Sequence, residues 1–182
     1  MKTQDLLHQY SARERDFRGV NLASAALSGV NLSRADLSRA DLSRADLSWS
    51  DLSGTALHQA NLTNADLAGA DLTGANLTEV NLIGADLTGA NLSGADLRGA
   101  DLRCANLHQT NLIGANLTDT DLSGADLSGA NLTNASLMDA CLNGTDLMGA
   151  NLTGTGLTEE NMHEEKSSTG NSHKWVSWSG SC

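Results

Sequence analysis

The chain has 182 residues, with 22 acidic against 11 basic side chains and a formal net charge of −11. Leu, Ile, Val and Phe together make up only 37 residues, a share that at this charge describes a disordered chain unless the apolar residues are held in strict register. No stretch approaches the ~18 consecutive apolar residues of a membrane span, and Cys104, Cys141 and Cys182 show no metal-ligand spacing.

Residues 1–14 read as a leader with a short capping helix. Thr3-Gln4-Asp5-Leu6-Leu7-His8-Gln9-Tyr10 offers Thr3 as N-cap, an acid in the first turn, and Leu6 and Tyr10 on one face. The basic and apolar regions of a signal peptide are missing from it, so the expected compartment is the cytoplasm.

Residues 15–162 are written in five-residue words. From Leu22 to Leu157 every fifth residue is leucine, 28 in succession, and Phe17 and Met162 extend the phase on either side. Two residues before each leucine stands a small residue, mostly Ala, otherwise Ser50, Thr55, Thr110, Thr120, Thr145, Thr155 or one of three valines. The residue between is usually Asp or Asn. A period of five fits neither regular element. On an α-helix five residues advance about 500°, so the leucines would spiral around the rod. On a straight strand an odd spacing alternates faces. Every leucine is buried only if the chain turns once per word: Ala-Asp-Leu is a short extended segment running in, out, in, and the next two residues are a corner. Gly69, Gly74, Gly84, Gly89, Gly94 and Gly99 at the second corner position supply the positive φ that tight turns use. A chain that keeps turning the same way is a solenoid whose coils bond to their neighbours about 4.8 Å away. Period alone leaves open how many words make a coil.

The words Ala95-Asp96-Leu97-Arg98-Gly99 and Ala130-Asn131-Leu132-Thr133-Asn134 resemble the A(D/N)LXX unit of the pentapeptide-repeat family, and the likeness covers about four-fifths of the chain. The resemblance implies an all-β, right-handed quadrilateral β-helix with four words per coil, about seven coils here, and the leucine and small residue inside. Residues 163–182 have no repeat phase. Thr158 to Lys166 is acidic and reads as one helical turn over the last coil, and Ser167 to Cys182 reads as disordered apart from Trp175 and Trp178.

No residue pattern in the chain points to catalysis, and an enzyme is not expected. His58 and His108 are 50 residues apart, two and a half coils, and so fall on opposite sides of the rod. No Ser-His-Asp set converges, no glycine-rich phosphate loop follows a strand, and no cofactor or metal is expected. The cysteines read as structural, reduced thiols. Stepping by 20 residues places Asp46, Asp66, Asp86, Asn106, Asp126 and Asp146 on one face and Asn91, Asn111, Asn131 and Asn151 on the next. Arg34, Arg39, Arg44 and Trp49 fall at four successive corners of one coil, a ring pointing four ways. Trp49 has Gly29 and Gly69 one coil away, room for an indole to lie flat on the wall.

The candidate partner-binding surface is therefore Asp46, Asp66, Asp86, Asp126 and Asp146 with Trp49. The expected function is a non-enzymatic protein-interaction or scaffold module with a protein partner, without direct nucleic-acid or membrane binding, and with a solenoid end available for a homodimer. The family resemblance adds two alternatives. One is a DNA mimic that occupies a type II topoisomerase (gyrase) and protects it from quinolone or toxin, and the other is a regulator or immunity factor. Residues 16–165 hold 20 acids and 6 bases, net −14, against about 20 charges on an equal length of duplex. Relatives that bind gyrase tend to interrupt the coil with projecting loops, which this chain does not.

Overall fold

The structure, a computed structural model, describes residues 1–157 and the backbone of 162–164 and 176–178. Each word contributes one bridge residue, the one before the leucine, and it pairs in parallel with its counterpart 20 residues on. Asp16 pairs with Asp36, Asn21 with Asp41, Ala26 with Asp46 and Asn31 with Asp51, and the series runs unbroken to Asn131 with Asn151. Four words close one coil. The bridges form four ladders, here called the first to fourth faces, beginning at Asp16, Asn21, Ala26 and Asn31. Each extended segment is so short that a word adds a single ladder residue and no longer strand.

The word Ala65-Asp66-Leu67-Ala68-Gly69 shows how the sequence closes its backbone accounts. Ala65 N–H donates to Leu62 O at 3.0 Å, closing the previous turn, and Asp66 N–H reaches back one coil to Ala45 O at 2.9 Å. Leu67 and Gly69 N–H reach forward one coil, to Asp86 O at 2.7 Å and Thr88 O at 2.9 Å. Ala68 N–H takes the Asp66 carboxylate, Oδ1, at 3.0 Å. All five donors of the word are satisfied, as buried backbone requires. Every corner from Gly19 to Gly154 has positive φ, and thirteen of these residues are not glycine, Arg34, Glu79 and Trp49 among them. Positive φ confined to the second central residue is the mark of a type II turn, so the corner conformation is set by the ladder rather than by glycine.

Leu22 through Leu147 are buried in one continuous core, with the alanines beside them. Where Ser or Thr replaces the inner alanine, the hydroxyl finds a carbonyl. Ser50 and Thr55 donate to Leu47 O and Leu52 O in their own turns, while Thr110 and Thr120 reach Leu87 O and Leu97 O one coil back.

The helix α1, Thr3–Ser11, lies over the first coil. Leu6 is fully buried in the core, with Leu7 and Tyr10 packed partly against it. The Tyr10 hydroxyl lies 2.9 Å from Asn31 Oδ1 and 3.0 Å from Ser33 O, and the terminal ammonium of Met1 donates to Asn21 O at 2.8 Å. Thr3 is not the N-cap: Lys2 holds that position in an extended conformation, its carbonyl accepts from Asp5 and Leu6, and no side chain caps the helix. At the other end Leu152 and Leu157 are only half-buried. Two short strands follow, β1 (Met162–Glu164) and β2 (Val176–Trp178), paired antiparallel with Met162 opposite Trp178. The described part of the acidic run is thus extended, not helical, its backbone bonds taken by β2. The rest of the expected disordered tail lies outside the described residues.

Candidate interaction surface

The third face runs Ala26, Asp46, Asp66, Asp86, Asn106, Asp126, Asp146 through consecutive parallel bridges. The five aspartates predicted to act together are thus stacked on one side of the rod, Asp46 and Asp66 exposed and the other three half-buried. Each has a local structural task. Oδ1 of Asp46 accepts from Ser48 N–H at 3.1 Å and from Ser48 Oγ at 2.6 Å. Asp86 does the same for Thr88, at 2.9 and 2.6 Å. Asp126 and Asp146 accept from Ser128 N–H at 2.8 Å and Met148 N–H at 2.9 Å. These are Asx turns, in which a short carboxylate or amide closes on the backbone two residues ahead. Among the described residues no hydrogen bond reaches Oδ2 of any of the five, so that oxygen is left for solvent or a partner.

The other acids are differently placed. On the first and second faces an arginine two residues after the bridge position folds back onto the carboxylate. Arg98 pairs with Asp96 at 2.7 Å, Arg103 with Asp101 at 2.7 Å, and Arg18 with Asp16 at 2.5 Å. The Arg18 hydrogen bond holds the Asp16 carboxyl down at about 2, and the arginine bonds likewise lower Asp96 and Asp101. Asp41 is lowered mainly by the Ser43 hydroxyl. No Lys or Arg occupies the middle of the third or fourth face. Uncompensated acids are therefore concentrated on the third face, a distinction the sequence carried in the Asp-x-Arg spacing but that net charge per segment hides.

On the fourth face the amide ladder bonds along the stack in places. Asn111 Nδ2 donates to Asn91 Oδ1 at 3.0 Å, whereas Asn91 and Asn151 donate to Thr73 and Thr133 one coil back. A second relay runs up one corner, where Arg39 donates to Gln59 at 3.0 Å and Gln59 to Glu79 at 2.7 Å.

Trp49 stands at the corner between the third and fourth faces, with φ 58° and a side chain 74% exposed. Its indole lies flat over Gly69, where a Cβ would come within 2.5 Å of Cε3 and 2.9 Å of Cδ2. Arg34, Arg39 and Arg44 occupy the three preceding corners of the same coil, so the ring points four ways. His58 and His108 sit on opposite faces and bond Thr78 and Ser128 respectively. Among the described residues no group of His, Cys, Asp and Glu is arranged to hold a metal ion, and no helix is long and apolar enough to cross a membrane. Cys104 is an exposed free thiol at a corner. Cys141 is disulfide-bonded, which corrects the expectation of a reduced thiol at that position.

The described residues thus form a parallel four-sided solenoid with its uncompensated acids gathered mainly on one face and an exposed aromatic residue at one corner. The chain belongs to the pentapeptide-repeat family: the family described as pentapeptide repeats matches eight copies over residues 16–54, 55–94, 81–119 and 115–154. Its coil is accordingly a right-handed β-helix. No curated protein matches the chain. Among solved structures it is similar to HetL of the cyanobacterium Nostoc sp. strain PCC 7120, a pentapeptide-repeat protein involved in heterocyst differentiation regulation, at 33% identity over 85% of this chain and 94% of that one, TM-score 0.36. It is also similar to trypsin-treated QnrB1, a plasmid-mediated fluoroquinolone resistance protein, at 25% identity over 72% and 69%, TM-score 0.53. A third, alr5209 of Nostoc, is 40% identical over 60% of this chain and 85% of that one, TM-score 0.42.

Proposed function

We propose that the protein is a non-enzymatic interaction module, a cytoplasmic rod of about seven coils that meets a basic protein partner through its third face. One observation carries the reading. Asp46, Asp66, Asp86, Asp126 and Asp146 stack on one face that has no Lys or Arg at its middle, while mid-face arginines pair with carboxylates on the first and second faces. Exposed charges of this kind act over about 10 Å at 0.1 M salt, so association should weaken as salt rises. Replacing all five by Asn keeps an Oδ1 acceptor for each Asx turn and removes five charges that a basic groove would feel. The test is recovery of partners from native lysate by wild type and the five-fold variant, at low and high salt. A folded variant that loses a salt-sensitive partner supports the reading, and identical recovery by both proteins at both salt levels refutes it. Sedimentation of the purified chain tests the accompanying proposal that a solenoid end forms a homodimer.

A second reading is favoured by the likeness to QnrB1 and by the charge density of the rod. On this reading the acidic rod mimics duplex DNA and occupies a type II topoisomerase. The unbroken five-residue phase, without projecting loops, weighs against it. A gyrase supercoiling assay with and without a fluoroquinolone separates the two, since only a topoisomerase ligand changes supercoiling or drug sensitivity.

A further inference from the structure

Trp49 is costly where it stands. It is the most exposed large hydrophobic side chain among the described residues, at 74%, and its φ of 58° is one that bulky residues adopt under strain. The same corner of the neighbouring coils is Gly29, Gly69 and Gly89. The ring adds nothing to the buried leucine core: it rests on the backbone wall at Gly69, and the residue as a whole stays 74% exposed. Aspartates flank it on both sides of the corner, Asp46 and Asp66 on the third face, Asp51 and Asp71 on the fourth, each pair stacked through a parallel bridge. Asp66 and Asp71 commit Oδ1 to the backbone N–H two residues on, and Asp51 commits both oxygens, to Ser53 and to Asn31 Nδ2. Arg44 stands at the corner on the far edge of the third face, and no base shares the corner of Trp49.

We propose that Trp49 and the carboxylates beside it dock an arginine side chain of a basic protein partner, an inference that rests on the third face being the interaction surface. The exposed indole attracts a cation, and Trp is the strongest aromatic for that contact. A planar guanidinium can lie on the ring while its edge N–H groups reach the free oxygens of Asp46 or Asp66. A lysine ammonium, compact and strongly hydrated, gains the charge term without the stacking. Trp and Arg are the residues enriched where few side chains dominate an interface.

The test uses defined probes, tetra-arginine and tetra-lysine peptides, titrated into the full chain with Trp175→Phe and Trp178→Phe so that fluorescence reports Trp49. The expected result is tighter binding of the arginine peptide by roughly three- to fivefold, with a change in Trp49 emission. Measured by calorimetry, Trp49→Leu should remove that preference and leave weak, salt-sensitive binding of both peptides. Trp49→Gly, which suits the corner φ, is the second variant if Trp49→Leu melts early. Equal affinity for the two peptides, or an arginine preference that survives loss of the indole, overturns the inference. If both peptides bind equally to wild type and neither binds the five-fold Asp→Asn variant, the acidic face stands and the arginine site falls. If neither binds wild type, both readings fall together.

Discussion

The contact between Trp49 and Gly69 can be measured against an internal control. Gly69 and Gly89 occupy the same corner in adjacent coils, with φ of 65° and 64°, so a methyl group added at either meets the same backbone penalty, about 1–2 kcal/mol. Their surroundings differ. A Cβ at Gly89 meets nothing within 4 Å, whereas one at Gly69 would sit 2.5 Å from Trp49 Cε3 and 2.6 Å from Cζ3. The indole must leave the wall, exposing the apolar surface it covers and losing its dispersion contacts, for a further ~1 kcal/mol. Gly89→Ala should therefore cost the backbone term alone, and Gly69→Ala roughly twice as much. With Trp49→Ala in both backgrounds the two substitutions should cost the same, leaving a coupling energy of about 1 kcal/mol between positions 49 and 69. Urea denaturation followed by far-UV circular dichroism reads these differences as midpoint shifts at constant slope. Equal costs for Gly69→Ala and Gly89→Ala in the presence of Trp49 would show that the indole does not lie on Gly69.

Leu92 is fully buried and Asn91 points outward beside it, so Leu92→Asp should cost at least about 3 kcal/mol by burying an unpaired charge, while Asn91→Asp, which keeps the acceptor for Ser93 N–H, should cost little. Equal thermal melts would contradict the inside/outside assignment. The Asp16 carboxyl, held at about 2 by Arg18, has a folded pKa below its unfolded one, so its contribution is present above pH ~4 and is lost as pH falls through 2. In Arg18→Gln the carboxyl should titrate nearer its ordinary range, and an unchanged NMR titration midpoint would show the pair is not formed in solution. Leu6→Asp, or deletion of residues 1–14, should uncover the first coil and promote association through its open edge. Light scattering from a fully stable, monomeric 15–182 fragment would show that α1 protects nothing.

Much of the fold is legible in the linear pattern because one physical requirement repeats. A leucine every five residues can be buried only by a chain that turns once per word, and burial of Leu22 through Leu147 follows that rule. The 20-residue coil is not in the period, since three or five words would satisfy the same burial rule, and family resemblance supplied it before the parallel bridges displayed it. The ends were harder to read. Thr3 has the chemistry of an N-cap, but the backbone of Lys2 took the position, because a cap is chosen by where the chain enters the helix. Cys141 looked like any other bridge residue. Nothing in the five-residue pattern sets it apart as one that forms a disulfide.

The acidic face shows why the charge pattern carries more information than the charge total. At nearly every bridge position the fold asks for one thing, an oxygen that accepts the N–H two residues ahead. Asp and Asn meet that demand equally: Asp66 serves Ala68 at 3.0 Å and Asn131 serves Thr133 at 3.1 Å. Stability therefore leaves the choice between carboxylate and amide almost free, and the choice is not scattered. On the fourth face amides run together from Asn91 through Asn111 and Asn131 to Asn151, beyond Asp51 and Asp71, and on the third face carboxylates stand at Asp46, Asp66, Asp86, Asp126 and Asp146, interrupted only by Asn106. Stacked carboxylates about 4.8 Å apart repel one another by roughly 0.9 kcal/mol in water, a cost that alternating Asp with Asn would avoid. A solubility requirement alone is met as well by acids spread evenly over four faces. Such gathering at a small but repeated cost is what the proposed contact with a basic partner would use, and Asn106 in the same ladder, accepting from His108 N–H, has the amide the five-fold Asp→Asn variant would place beside it.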